Sequence, residues 1–353
     1  MFGINSRPPL DQTEQQGQAT SRPARMPAVI QDGYGGPEVL RLQTAPLPAI
    51  RDKEVLVQVH AAGLAKGTWH VMTGTPYLLR VFFGIRSPRQ PVAGLNLAGV
   101  VVSAGPAVTR FKPGDRVYGI GKGSFAGYSA ALERKLAPMP AGLDFEQAAA
   151  VPVSGLTALQ AVADVARVSN GQRVLVTGAS GGVGSLAVQL AVAAGAEVTG
   201  VCSAGKAGFV RGLGAQNVLD YRSEDFAASA GAYDAIIDIA GSPPLARLRR
   251  ALKPGGTAAL VGGEEGGRVT GGMFERQIAG AILSTLDRGH RRFRNVLAKE
   301  SGAELERLNA LLESGTVVPH IDSRFPLAEA PAAMERLQSG EVTGSVVLTV
   351  QQD

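Results

Sequence analysis

The chain has 353 residues, 45% of them hydrophobic and 18% charged, with 35 Lys and Arg against 30 Asp and Glu for a formal charge of +5. These values describe a globular protein long enough for two domains and exclude a disordered or fibrous chain. The single cysteine, Cys202, excludes an intrachain disulfide and a multi-cysteine metal site; it suits a reducing compartment, and a cytoplasmic location is expected.

No apolar run reaches the roughly 18 residues of a membrane span, and no membrane partner is expected. The cations are scattered apart from Arg288, Arg291, Arg292 and Arg294, which read as a solvated helix face; no nucleic-acid partner is expected. Residues 1–26 are polar, rich in Gln, Pro and Ser, and read as a mobile extension, neither a secretory signal nor a transit peptide.

From residue 27 to about 150 short strands alternate with Gly and Pro turns. Residues 28–30, 39–43, 55–61, 99–103 and 116–119 read as strands of a small β-rich domain. Residues 148–168 read as mostly helical, with Pro152 as a kink or a helix start.

The pattern then changes to alternating strand and helix, the signature of a doubly wound parallel sheet in an α/β fold. Its strands are expected at 174–177, 198–202, 217–220, 235–238 and 257–261. Residues 264–294 read as a glycine-rich loop followed by an amphipathic helix. A helix from Ala303 with Leu305, Leu308, Leu311 and Leu312 on one face, a short helix over 328–337 and a strand over 345–350 close the chain.

Residues 174–184 (VLVTGASGGVG), followed by the apolar run 185–195, carry the most specific signal. They read as a buried strand, a tight glycine turn and a helix. Gly178 permits the turn, Gly181 and Gly182 leave backbone amides bare beside Ser180 and Val183, and Gly184 lets the helix lie close to the sheet. A pyrophosphate fits such a turn at the positive end of a helix, which points to a dinucleotide.

An NAD site usually ends its second strand in Asp or Glu, for the ribose 2′-hydroxyl. Here the strand ends in Cys202 and Ser203, with Lys206 just beyond, groups suited to a 2′-phosphate. Asp220 is the acid that argues for NAD, and it is expected to point away. NADPH is therefore the expected cofactor.

The chain resembles the medium-chain dehydrogenase/reductase superfamily, in its zinc-independent, quinone-oxidoreductase-like branch. The matching stretches are 33–40 (GYGGPEVL), 114–119 (GDRVYG), 150–158, the glycine turn, Ala240-Gly241, 260–263 (LVGG), 325–330 (FPLAEA) and 344–350. The resemblance implies a GroES-like catalytic domain over 27–155 and 302–353 and an inserted Rossmann domain over 156–301. It implies that Thr157, Ala240, Gly241, Val261 and Gly262 join the glycine turn around the nucleotide, that Tyr221 stands beside its 2′-phosphate, and that the chain is a homodimer.

Zinc enzymes of this superfamily place ligands where this chain has Ala65, Leu95 and Pro152 or Val153, so no metal is expected. The expected reaction is hydride transfer to a quinone or an α,β-unsaturated carbonyl in an apolar pocket. Tyr77 ranks first and His70 second as proton donor, with Thr68 and Lys66 nearby. The alternatives are a zinc-free alcohol or aldehyde dehydrogenase and a weakly catalytic nucleotide sensor. A short-chain dehydrogenase is disfavoured, because Tyr118 and Lys122 are separated by glycines unsuited to a helix.

Overall fold

A computed structural model describes residues 23–262, 272–287 and 290–351, the side chains of residues 273 and 274 excepted. Most of the expected N-terminal extension, the glycine-rich loop over 263–271 and Arg288 lie outside the described residues.

The described residues open with an antiparallel pair, β1 (Arg25–Ile30) and β2 (Arg41–Pro46). Arg25 and Met26, expected in the extension, are strand residues, and Met26 is buried because it faces the small cluster of Ala28, Ala45 and Ala126. Next come β3 (Glu54–Leu64), α1 (Lys66–Thr73), α2 (Arg80–Phe83), β4 (Asn96–Ala104), β5 (Arg116–Ile120), β6 (Tyr128–Leu132) and β7 (Leu136–Pro138). The period-two pattern of Val55, Val57 and Val59 puts all three in one core, while β3 pairs with both β4 and β6.

The expected helix over 148–168 is broken. It consists of α3 (Phe145–Ala150), capped by Asp144 and Gln147, then α4 (Pro152–Leu159), then a π turn over Gln160–Val165. Pro152 lacks an amide hydrogen and so opens α4 without loss.

The second sheet follows as β8 (Arg173–Thr177), α5 (Gly182–Ala193), β9 (Glu197–Cys202), α6 (Ala207–Gly212), β10 (Asn217–Asp220), β11 (Tyr233–Asp238), α7 (Leu245–Ala251), β12 (Leu252–Leu260), α8 (Met273–Leu286) and β13 (Arg292–Asn295). Its order is β10-β9-β8-β11-β12-β13 and every pairing is parallel. This is the doubly wound arrangement, and its strand order reverses between β8 and β11. Arg292 and Arg294 lie on the strand β13 and not on the expected helix face, and Arg291 donates to the Leu252 carbonyl (2.8 Å).

The chain ends with α9 (Gly302–Glu313), β14 (Ile321–Pro326), α10 (Ala330–Gln338) and β15 (Ser345–Thr349). β15 pairs antiparallel with β3 and parallel with β14, so the C-terminal segment completes the seven-stranded sheet begun by the N-terminal half. Leu305, Leu308 and Leu312 of α9 pack into the core that also holds Val174, Val176 and Leu186. Tyr118 on β5 donates to the Leu305 carbonyl (3.1 Å) and the Asn309 side-chain oxygen (2.7 Å), and burial pushes its phenol pKa well up. Its distant neighbour Lys122 pairs with Glu54, so the pair has no short-chain geometry.

Candidate active site

The glycine turn forms as its spacing requires. Gly178 has φ +66°, a left-handed value that side chains resist. A Cβ on Gly184 would stand 2.0 Å from the Gly178 carbonyl oxygen, so only glycine lets α5 close on the strand. A Cβ on Gly181 would meet only that same oxygen, at 3.7 Å, which leaves a cradle open beside the helix start. No side chain caps α5, and the first amides of any helix lack intrahelical acceptors. A pyrophosphate therefore fits this turn.

The floor of the turn is clamped across the point of strand reversal. Thr177 donates to Asp238 (2.7 Å), and its oxygen accepts from the amides of Ile239 (3.1 Å) and Ala240 (3.2 Å). Arg276 on α8 donates to the other oxygen of Asp238 (2.5 Å), which has no exposed surface. Sequence reasoning missed this pair, since Arg276 lies 38 positions away from Asp238. Gly241 turns the chain at φ +69°.

The C-terminal segment docks on the same turn. The Gly344 amide donates to the Ser180 carbonyl (2.8 Å), and Gly344 bridges to Gly181. Lys206 crosses to the carbonyls of Gly340 (2.6 Å) and Val342 (3.0 Å). It is thus neither the open phosphate ligand expected from the sequence nor a solvated lysine. Burial lowers its pKa.

Ser203 is half-buried at the end of β9, and Tyr221 is exposed with the Arg222 guanidinium 5.5 Å from its ring centre. Asp220 turns into its own loop, accepting from the Arg222 amide (3.1 Å) and the Ser223 hydroxyl (3.5 Å). Burial raises the pKa of Cys202, which makes it a poor nucleophile.

A cavity of about 810 Å³ opens where the two sheets' domains meet. From the glycine-turn side Thr157, Val183, Ile239, Val261 and Gly262 line it; from the other side come Ala65, Lys66, Trp69, His70 and Tyr77. The helix α1 explains the selection. Lys66, Trp69, His70 and Thr73 share its cavity face, while Thr68 and Met72 fall on the buried face at i and i+4. Thr68, expected among the catalytic groups, is accordingly packed away from the cavity, and its hydroxyl is buried with no hydrogen-bond partner.

His70 Nδ1 lies 2.7 Å from the Thr75 carbonyl oxygen, which can only accept, so this nitrogen carries the proton. The ring of Tyr77 is backed by the Arg80 guanidinium at 4.4 Å, and Arg80 stacks equally on Tyr34 (4.4 Å). Arg80 also donates to the Gly74 carbonyl (2.9 Å).

The positions at which the resemblance implies zinc ligands are aliphatic. Ala65 is buried, Leu95 packs toward the core, and Val153 donates its amide to Asn96 (3.2 Å). Among the described residues no group of three or more His, Cys, Asp or Glu is gathered to hold a metal.

Residues 51–141 match the alcohol dehydrogenase GroES-like domain family, and residues 213–348 match the family described as zinc-binding dehydrogenase. The chain is 32% identical over 337 residues to the chloroplast envelope quinone oxidoreductase homolog of Arabidopsis thaliana, covering 92% of this chain and 98% of that one. The chain belongs to the medium-chain dehydrogenase/reductase superfamily, in its quinone-oxidoreductase-like branch.

A second Arabidopsis thaliana relative, the NADPH-dependent alkenal/one oxidoreductase, chloroplastic, is 33% identical over 343 residues, covering 93% of this chain and 80% of its own. The solved quinone oxidoreductase from Coxiella burnetii superposes with a TM-score of 0.80 at 30% identity, covering 93% of this chain and all of that one. This medium-chain dehydrogenase/reductase is an oxidoreductase that uses a nicotinamide cofactor. Among its described residues no helix is long and apolar enough to cross a membrane.

Proposed function

We propose that the chain is a metal-independent reductase that uses NADPH to reduce a quinone or a conjugated enone. One observation carries this reading. A single cavity has Val183 of the glycine turn and, beyond the end of β12, Val261 and Gly262 on one wall and the proton-bearing side chains His70 and Tyr77 on the other. When bound, the reduced nicotinamide supplies a hydride.

This chain's part is to bind, to orient and to deliver a proton. The start of α1, which no side chain caps, and the Lys66 ammonium, which stands over the Trp69 ring (4.9 Å), are the donors that line the cavity near an oxygen that gains charge. Tyr77 is the proton donor. His70 ranks second because its Nδ1 proton is already committed to Thr75, so its other nitrogen would have to be charged before it could donate. Trp69, Val153 and Leu79 make the pocket suit a bulky apolar substrate. Ala65, Leu95 and Val153 supply no ligand to zinc, which favours an activated alkene or quinone over a simple aldehyde.

The preference for NADPH rests on Ser203 and Tyr221, with Arg222 and Lys206 as the local cations, and on an Asp220 already engaged within its own loop. The buried Cys202 fits a cytoplasmic setting, and the reading includes a homodimer.

The test is NADPH oxidation by chelator-treated protein with quinones, enones and aldehydes side by side. Turnover of quinones or enones without added metal is expected. Turnover of aldehydes alone, or only after zinc is restored, would overturn the proposal.

A further inference from the structure

The outer face of the wall that carries Tyr77 is apolar and, among the described residues, uncovered. Leu78, Val81, Phe82, Phe83 and Ile85 are all exposed, Phe82 by 68% and Ile85 by 73%. Five large apolar side chains within eight residues exceed the scattered exposure that any surface shows.

The segment is firmly held. The Tyr34 hydroxyl donates to the Gly84 carbonyl (2.5 Å), the Arg89 amide to the Phe83 carbonyl (2.7 Å), and Arg80 is clasped between two tyrosine rings. Its inner side, through Pro76, Tyr77 and Leu79, lines the cavity, whereas Phe82 and Ile85 do not. The patch is therefore continuous with the rim of the substrate cavity without being part of it.

Within its own stretch of chain the charge has one sign. No Asp or Glu occurs between residues 55 and 114, while Lys66, Arg80, Arg86 and Arg89 stand in or beside the segment. The nearest acids in the turn that packs on it are Asp32 and Glu38, and Glu38 is folded back onto the Gly36 amide (2.8 Å). An apolar patch fringed by cations complements a surface of anionic headgroups over acyl chains. A second copy of the chain fits less well, because a two-fold contact would set Arg86 and Arg89 against their own counterparts.

We propose that residues 78–89 dock the protein on an anionic lipid surface, so that a lipophilic quinone or enone enters the cavity directly from the bilayer. This sets aside the expectation of no membrane partner, and it rests on the reductase reading for the substrate but not for the docking itself.

The full chain with NADPH is sedimented with vesicles of phosphatidylcholine alone and of phosphatidylcholine with phosphatidylserine. Binding to the anionic vesicles, weakened by salt, is expected. Phe82→Ser with Ile85→Ser, and separately Arg86→Glu, should each lower the partition coefficient by about tenfold or more. Both variants should keep wild-type NADPH oxidation with a water-soluble enone, which also reports correct folding and tests the reductase reading separately. The proposal is overturned if the wild type ignores anionic vesicles or if the variants partition as the wild type does. It is equally overturned if sedimentation velocity finds a wild-type dimer that the Phe82→Ser, Ile85→Ser variant abolishes.

Discussion

Gly184 and Gly181 sit three residues apart in one turn and make opposite predictions. A methyl at 184 would drive into the Gly178 carbonyl, so Gly184→Ala should cost about 2–3 kcal/mol of stability, read as a lowered midpoint in urea. A methyl at 181 meets nothing closer than 3.7 Å, and the backbone there has φ −82°. Gly181→Ala should therefore leave stability within about 0.5 kcal/mol and yet weaken NADPH binding by about tenfold or more, because it fills the space kept for phosphate. Equal cofactor affinity in Gly181→Ala and wild type, measured by fluorescence titration, would remove the pyrophosphate from this turn. In the same spirit, Tyr77→Phe should lower kcat about 100-fold or more if its hydroxyl is the acid, and His70→Gln should cost less. Unchanged turnover in both would leave solvent as the proton source.

At the scale of elements, the loop over 340–344 joins the catalytic sheet to the glycine turn, and Asp322 on β14 holds it. Arg336 on α10 donates to both carboxylate oxygens (2.9 and 3.1 Å), and the Thr343 amide adds a third bond (2.9 Å). Burial alone would raise the pKa of Asp322, but these donors and the Ser323 hydroxyl outweigh it and hold it at about 2. The folded value lies below the unfolded value of about 3.9, so the stabilisation is full above about pH 4 and is lost as the pH falls toward 2. It amounts to about 2 kcal/mol, and Asp322→Asn should make the fall of the urea midpoint with acid shallower over that window, while Glu54 and Asp234, which burial would raise but Lys122 and Lys253 hold below the usual range, keep their own share. An identical pH slope in the variant would contradict the assignment.

The same elements explain what could be read from the chain. The glycine turn was legible because its backbone demands are local, and the strands around it because their apolar runs are continuous. Thr68 was misread because its role depends on where α1 begins: once Lys66 opens the helix, position 68 turns inward with Met72. Lys206 and Arg276 were illegible because their partners are 134 and 38 residues away. β13 was hidden because Arg292 and Arg294 flank a single buried apolar residue, Phe293, too short a signal for either period.

Across the whole molecule, Lys206 couples the cofactor question to the joint between domains. Lys206→Glu should collapse the preference for NADPH over NADH by adding negative charge beside Ser203 and Tyr221, and should also loosen the contact with Gly340 and Val342. The ratio of the two dissociation constants isolates the first effect, since a looser joint weakens both nucleotides alike. A ratio unchanged from wild type would take Lys206 out of cofactor selection and leave it as a tie between domains. The proposed reaction depends on reducing equivalents passing from a nucleotide on the glycine turn into the cavity between His70 and Tyr77. The most direct measurement is single-turnover mixing of the NADPH complex, stripped of metal, with a small enone, followed by the nicotinamide absorbance. Stoichiometric oxidation that slows when the reductant carries deuterium at C4 is the predicted result; a complex that binds NADPH and never oxidises it, across quinones and enones alike, would contradict the account.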